Sequence, residues 1–423
     1  MTNATTETSC KLQDKLKKTL PTMRVLYFSP RDCWPVTTGA RVRDFHLASQ
    51  LASNATLVYL GFVTGEERRE RLEPLRNSEV VLVRRSGGYA PVHLVRGLVG
   101  PHPITVLNYT SPRMMVALEQ LLRGEAFDVI QIEGVHLFAY VRRIRELAPR
   151  ARLISDWHNI ESELLARYAE NAPGSARRLY ARRTVSLLRR LERQLLDLCD
   201  AHTVCSERER GILLEQAPSA RIEVIGNGVD AGFFSPASAG QEPRRTLVFV
   251  GSMDYHANID AALYFAREIW PRIRARRPDL EFVVVGSRPA PEVLELRAQP
   301  GITVTGTVDD IRPYYASALA VVVPLRVGSG TRLKVLEAMA AGAPVISTTL
   351  GAEGLAVTPE ENILIADSPT EMAGRATTLE AGSPGWHKLA QNGRALVAEQ
   401  YDWSIIGAKL QRLYAEQLEM ARV

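Results

Sequence analysis

From Met23 onward, short runs of Val, Ile, Leu and Phe alternate with segments whose apolar residues fall at helical spacing. The runs MRVLYF, ATLVYLGF, VVLVRR, FDVIQIE, ARLISDW, AHTVCS and RIEVI are almost continuously apolar. That pattern predicts strands of a parallel sheet covered by helices on both faces. Across residues 231–245, AGFFSPASAGQEPRR, the periodicity stops and Pro, Gly and Ser take over, as in a linker. The alternation then restarts with TLVFVGS, EFVVVGS, ITVTG, LAVVVPL, APVIST and ILIAD, with helical segments such as NIDAALYFAREIWPRI between them. The closing stretch WSIIGAKLQRLYAEQLEMARV returns to helical spacing. The expected organisation is a polar extension over 1–22, a Rossmann-like domain over 23–230, the linker, a second such domain over 246–399, and a terminal helix within 400–423.

In open sheets of this kind, ligands bind beyond the carboxyl ends of the strands, and tandem domains are expected to face one another across a cleft. Loops that follow strands therefore carry the candidate chemistry: SPRDCWPVTTGAR, HNIES, GSMDYHAN and the GSG of residues 328–330.

The last of these opens GSGTRLKVLEAMAAG. In the helix expected from about Thr331 to Ala341, Leu333, Leu336 and Ala340 fall at i, i+3 and i+7, and Glu337 lies inside their stripe. A carboxylate withdrawn from water needs hydrogen-bond donors. Ligand hydroxyls would supply them; so would a loop cap, or pairing with Lys334. Gly328 and Gly330, with Ser329 and Thr331, bring backbone amides to a helix start that favours anions, and Arg332 and Lys334 add cations. No GxxxxGK[ST] occurs and the third glycine of a dinucleotide fingerprint is missing. Together these residues point to a nucleoside diphosphate whose ribose reaches the acid.

At this point the chain resembles the GT-B glycosyltransferases, in particular glycosyltransferase family 4. SGTRLKVLEAMAAGAPVIST is similar to the family's Glu-x7-Glu segment with Glu337 as its second acid, and EVIGNGVD to its interdomain signature at Asn227–Asp230. AHTVCSERER, the histidine loop DWHNIES and the terminal WSIIGAKLQRLY also match. The resemblance implies the GT-B fold, with the terminal helix returning to the first domain. It implies that Glu337 holds donor ribose hydroxyls, that His158 sits beside the transferred sugar, and that Gly39 approaches the donor phosphates. Gly306, Val308 and Asp309 of GTVD would line the base pocket, with Gly251 on the loop before it. Two departures stand out. Ser329 replaces the first acid of the pair, and GSMDYHANID lacks the Arg and Lys that many members carry after the first strand of the second domain. Arg332 and Lys334 are then expected to hold the diphosphate, Arg332 the more tightly, with Arg41 or Arg43 as the fallback.

Composition narrows the rest. The chain has 423 residues, of which 46% are hydrophobic and 23% charged, in the range of folded globular proteins. A net charge of +5 fits anionic ligands, yet no dense basic tract with interleaved aromatics supports a nucleic-acid partner. Cys10, Cys33, Cys199 and Cys205 form no CxxC and read as reduced thiols; no metal is expected, and no cofactor beyond the donor. The polar start lacks a signal-peptide core, which predicts a cytoplasmic protein. Over 176–199 a basic helix carries Tyr180, Leu187, Leu188, Leu191, Leu195 and Leu198 on one side, suited either to packing on the sheet or to peripheral contact with an anionic membrane and a lipid-linked acceptor. The expected activity is retaining transfer of a sugar from a nucleoside diphosphate sugar to a glycan, lipid-linked or small hydroxyl acceptor in surface glycan assembly. The alternatives are a GT-B nucleotide-sugar epimerase and a binding protein without turnover.

Overall fold

The computed structural model describes residues 23–421 with the exception of 37, 65–74, 76–77, 86–92, 94–95, 98, 172–173, 236–243 and 329–331. The chain divides into two compact units, Met1–Ile225 with Gly407–Val423, and Gly226–Ile406. The central part of the stretch read as a linker lies outside the described residues.

In the first unit, β1 (Arg24–Ser29), β2 (Thr56–Val63), β3 (Glu79–Arg84), β4 (Val129–Glu133), β5 (Arg152–Trp157), β6 (Ala201–Val204) and β7 (Ile222–Val224) form one sheet in the order β3-β2-β1-β4-β5-β6-β7. Every pairing is parallel, from Val25 against Val129 to Val204 against Val224. The seven strands are the seven apolar runs of this half, because strands covered on both faces have no solvent side to alternate with. Chain order reverses between β1 and β4, the switch point at which such sheets bind ligands. Three helices of this unit carry residues of chemical interest: α1 (Gly39–Ala52), α2 (Phe138–Leu147) and α3 (Ser175–Leu198). Thr38 starts α1 by accepting from the Arg41 amide.

In the second unit, β8 (Thr246–Val250), β9 (Glu281–Val285), β10 (Ile302–Val304), β11 (Ala318–Val323), β12 (Val345–Ser347) and β13 (Leu364–Ile365) form a parallel sheet in the order β10-β9-β8-β11-β12-β13, with its switch point between β8 and β11. The helix α4 (His256–Tyr264) follows β8, and α5 (Leu333–Ala340) follows β11. Val335, Leu336, Ala338 and Met339 of α5 are buried in the core of this unit.

The terminal helix, Trp403–Met420, lays Leu410, Leu413 and Tyr414 against the first unit. Gln411 donates to the Gln50 carbonyl at 2.7 Å, the Gln417 carbonyl accepts from Arg152 at 3.0 Å, and Tyr414 bonds Gln131. From Gly407 onward the helix belongs to the first unit, the return expected from the resemblance. In α3, Leu188, Leu191 and Leu195 are buried in the first unit, so the leucine stripe is occupied by packing; its arginines 177, 178, 182, 189, 190 and 193 remain exposed.

Candidate functional site

At the switch point of the first unit the ends of three strands and one helix bring together six charged side chains. Asp44 and Arg43 come from α1, Glu133 ends β4, Asp156 lies on β5, and Arg31 and His158 follow β1 and β5. Asp44, Glu133 and Asp156 are all buried, and each has cationic partners. Arg43 grips Asp156 through two hydrogen bonds of 2.9 and 2.7 Å, and Thr203 donates to the same carboxylate at 2.6 Å. Arg31 reaches Asp44 at 3.1 Å and also bonds Glu133. The Ser29 hydroxyl lies within hydrogen-bond distance of both Asp44 and Glu133, at 3.0 and 2.7 Å, and can donate its one proton to either.

His158 completes the group. Its Nε2 lies 3.3 Å from Asp44, 3.3 Å from Glu133 and 3.5 Å from Asp156. Burial alone would lower its pKa, but Glu133, Asp156 and Asp44 outweigh that and raise it to about 10. With His158 as imidazolium, three anions face three cations, which is how a buried cluster of this density stays tolerable. Asp44 is raised by burial yet held down overall, by Arg31 first and then His158. Glu133 goes the other way: burial raises it, and Arg31 does not fully offset the burial and the neighbouring Asp44. His136, half-buried, is kept neutral by desolvation and then by the field of Arg31 and His158, at about 3. Asp44, Glu133 and His158 also lie close enough together to hold a metal ion. Arg31 already inserts its guanidinium between the two carboxylates, so a cation is in place there without one.

Gly39 is exposed as the first residue of α1. Of the fallback cations, Arg41 bonds Asp32 at 2.6 Å and Arg43 is committed to Asp156. Cys205, half-buried, has its thiol pushed up to about 12 by desolvation, which removes it as a nucleophile at neutral pH.

The second unit gathers the remaining candidates at the carboxyl ends of β8, β9, β10 and β11. A Cβ on Gly286 would lie 1.6 Å from the Gly251 carbonyl oxygen, so the loops after β8 and β9 touch backbone to backbone. The Gly286 amide in turn donates to Gly306 at 3.3 Å. Gly286 belongs to none of the motifs singled out from the sequence, although EFVVVGS repeats the TLVFVGS that flagged Gly251. Beyond Gly306, Val308 is half-buried against the core, Asp309 is exposed, and Asp310 accepts from the Arg312 amide at 2.9 Å as the next helix begins. On the rim, Arg288, with φ of 48°, bonds Asp254 at 2.5 Å and Ser252 at 3.1 Å.

On α5, Glu337 is half-buried and accepts from the Tyr315 hydroxyl at 2.7 Å through Oε2. Burial raises its pKa against the opposing pull of Tyr315 and Lys334. Lys334 does not pair with it. The Lys334 Nζ donates to Asn258 Oδ1 at 2.7 Å and lies 4.3 Å above the Phe249 ring. Burial brings its pKa down to about 7. Arg332 is 6% exposed and turned into the loops, donating to the carbonyls of Leu350 at 3.2 Å and Gly328 at 3.3 Å, with Glu353 at 3.8 Å. Gly328, with φ of 125°, adopts a backbone that suits only glycine. Ser329, Gly330 and Thr331 lie outside the described residues.

Comparison with known proteins identifies the class. Residues 62–233 match the family described as Glycosyltransferase Family 4, and residues 244–381 the family described as Glycosyl transferases group 1. The chain belongs to these family 4, group 1 glycosyltransferases, which carry the GT-B fold. Among curated relatives, a phosphatidyl-myo-inositol mannosyltransferase of Propionibacterium freudenreichii is 30% identical over 45% of this chain and 50% of its own length. A D-inositol 3-phosphate glycosyltransferase of Frankia alni is 29% identical over 51% of this chain and 58% of its own. The chain thus spans about half the length of the curated relatives it matches. Among solved structures, sucrose-phosphate synthase from Thermosynechococcus elongatus shares 18% identity with a TM-score of 0.70, covering 94% of this chain and 100% of that one. Anabaena HepE in complex with UDP and glucose shares 14% identity with a TM-score of 0.63, covering 93% of this chain and 100% of that one.

Proposed function

We propose that the protein moves a sugar from a nucleoside diphosphate sugar to a hydroxyl acceptor with retention of anomeric configuration, in the assembly of a surface glycan. The second unit holds the donor nucleotide. Glu337 takes the ribose hydroxyls on Oε1, while Tyr315 fixes Oε2. The glycine-lined loops after β8, β9 and β10 admit the base. His158, cationic in its ring of carboxylates, serves the transferred sugar as a charged donor rather than as a base.

One observation carries the reading. GSMDYHANID lacks the cations that family members carry after the first strand of this domain, and Lys334 of α5 brings one there by reaching Asn258. A diphosphate seated at the start of α4 and α5 would then meet an ammonium and helix amides together, the arrangement that stabilises charge on a departing group. Arg332 acts by bracing the loops after β11 and β12, which places it behind Lys334 in direct importance. No step in this scheme requires a metal.

Product analysis with a panel of sugar-labelled nucleotide sugars and hydroxyl acceptors tests the proposal. Transfer predicts free nucleoside diphosphate and a labelled acceptor whose new linkage has the donor's anomeric configuration by NMR. An isomerised sugar still joined to its nucleotide would assign the protein as an epimerase instead.

A further inference from the structure

The first unit holds a cavity of about 470 Å³ that lies among α2, α3 and the short helix Ile104–Leu107. Its floor is apolar: Val106 and Leu191 are buried, and Phe138 packs with them. Its mouth is cationic. Arg142, one turn beyond Phe138 on α2, and Arg190, beside Leu191 on α3, both line it, and none of the described residues lining it is acidic. Neither arginine is engaged by an acid among the described residues, whereas Arg143 and Arg145 on the same turn of α2 are paired with Glu119 and Asp200. Two exposed guanidiniums without a carboxylate partner among the described residues flank an apolar hollow. An anion joined to a hydrocarbon chain would match both the charge and the floor.

We infer that this cavity binds a lipid phosphate, its phosphate between Arg142 and Arg190 and the first part of its chain on Phe138, Val106 and Leu191. Free phosphate would leave the floor unused. The outer face of α3 favours the lipid source as well: Arg177, Arg178, Arg182, Arg189 and Arg193 are exposed there beside Leu179, which is 71% exposed, a surface suited to an anionic bilayer. In a transferase the occupant would be the lipid end of the acceptor. That identity rests on the proposed function, but the binding site does not.

Calorimetric titration of the full chain with monomeric farnesyl phosphate, farnesol and inorganic phosphate tests the site. Farnesyl phosphate is expected to bind at least tenfold more tightly than either fragment. Arg142→Ala with Arg190→Ala should weaken it at least tenfold, and Ala139→Phe, which fills the cavity while keeping both charges, should do the same. Thermal unfolding and UDP binding, measured on the same samples, report whether the variants fold and keep the second unit. Farnesyl phosphate binding no better than inorganic phosphate, or binding folded variants as well as the parent, overturns the site. Loss of every nucleotide response with lipid binding intact would instead sink the transferase reading and leave the site standing.

Discussion

Among single residues, two side chains of α5 face different partners, and the proposed donor site rests mostly on them. Glu337→Gln keeps the side-chain size and an oxygen for Tyr315, so the fold should survive. The charge-assisted contact to ribose is lost, which is worth about 1.5–3 kcal/mol, or roughly ten- to a hundredfold in nucleoside diphosphate affinity by calorimetry. Wild-type affinity in that variant would make the acid structural. Lys334 adds a pH signature. Its pKa near 7 means that raising pH from 6 to 9 removes the ammonium from the free protein, whereas a bound diphosphate would draw the proton back. Affinity should therefore fall across that window, with proton uptake visible as a dependence of binding heat on buffer ionisation. Lys334→Ala should bind weakly and flatten the profile. The direction in which Lys334 reaches is not legible in the sequence: i to i+3 spacing suggests pairing with Glu337, and only the fold brings Asn258 and the Phe249 ring within its reach.

Among elements, the strands are readable because buried parallel strands have no polar face, and even the half-exposed edge strand β3 is an apolar run. The charged cluster is not readable in that way. Arg31, Asp44, Glu133 and Asp156 are scattered between residues 31 and 156 and resemble solvated strand ends and a helix surface; only the sheet order, which sets β1 beside β4, collects them around His158. His158 itself is legible from its loop, but not its company. Breaking the Arg43–Asp156 pair, by Arg43→Ala or Asp156→Asn, leaves a buried charge uncompensated and should cost about 3–5 kcal/mol in chemical denaturation. A cost below about 1 kcal/mol would mean that the cluster is wet. For His158 the sign follows from a raised folded pKa: its contribution to stability is full below about pH 6.5 and is lost as pH rises toward 10. Glu133→Gln removes the anion that contributes most to that rise, so the imidazole should titrate at lower pH in NMR spectra; an unmoved titration would contradict the assignment.

For the molecule as a whole, two sheets with switch points between β1 and β4 and between β8 and β11 give each unit an edge of the kind at which open parallel sheets bind ligands. Among the described residues no helix is long and apolar enough to cross a membrane, and the leucine stripe of α3 is spent on the core of its own unit. Any contact with lipid would therefore use arginines and the cavity beside them rather than an apolar helix face. Because Arg31 supplies the cation between Asp44 and Glu133, exhaustive chelation with EDTA is expected to leave transfer unchanged, and loss of activity restored by a divalent ion would refute the metal-free scheme. Everything proposed for the activity depends on the second unit binding a nucleoside diphosphate sugar through Glu337 and Lys334. The decisive measurement is thermal unfolding against a panel of nucleoside diphosphate sugars, each present far above its expected dissociation constant. Ligand at 100 times that constant stabilises by about 2.7 kcal/mol, so at least one donor should raise Tm clearly in the parent and much less in Glu337→Gln and Lys334→Ala; a flat response of the parent to the whole panel would contradict donor binding at this site.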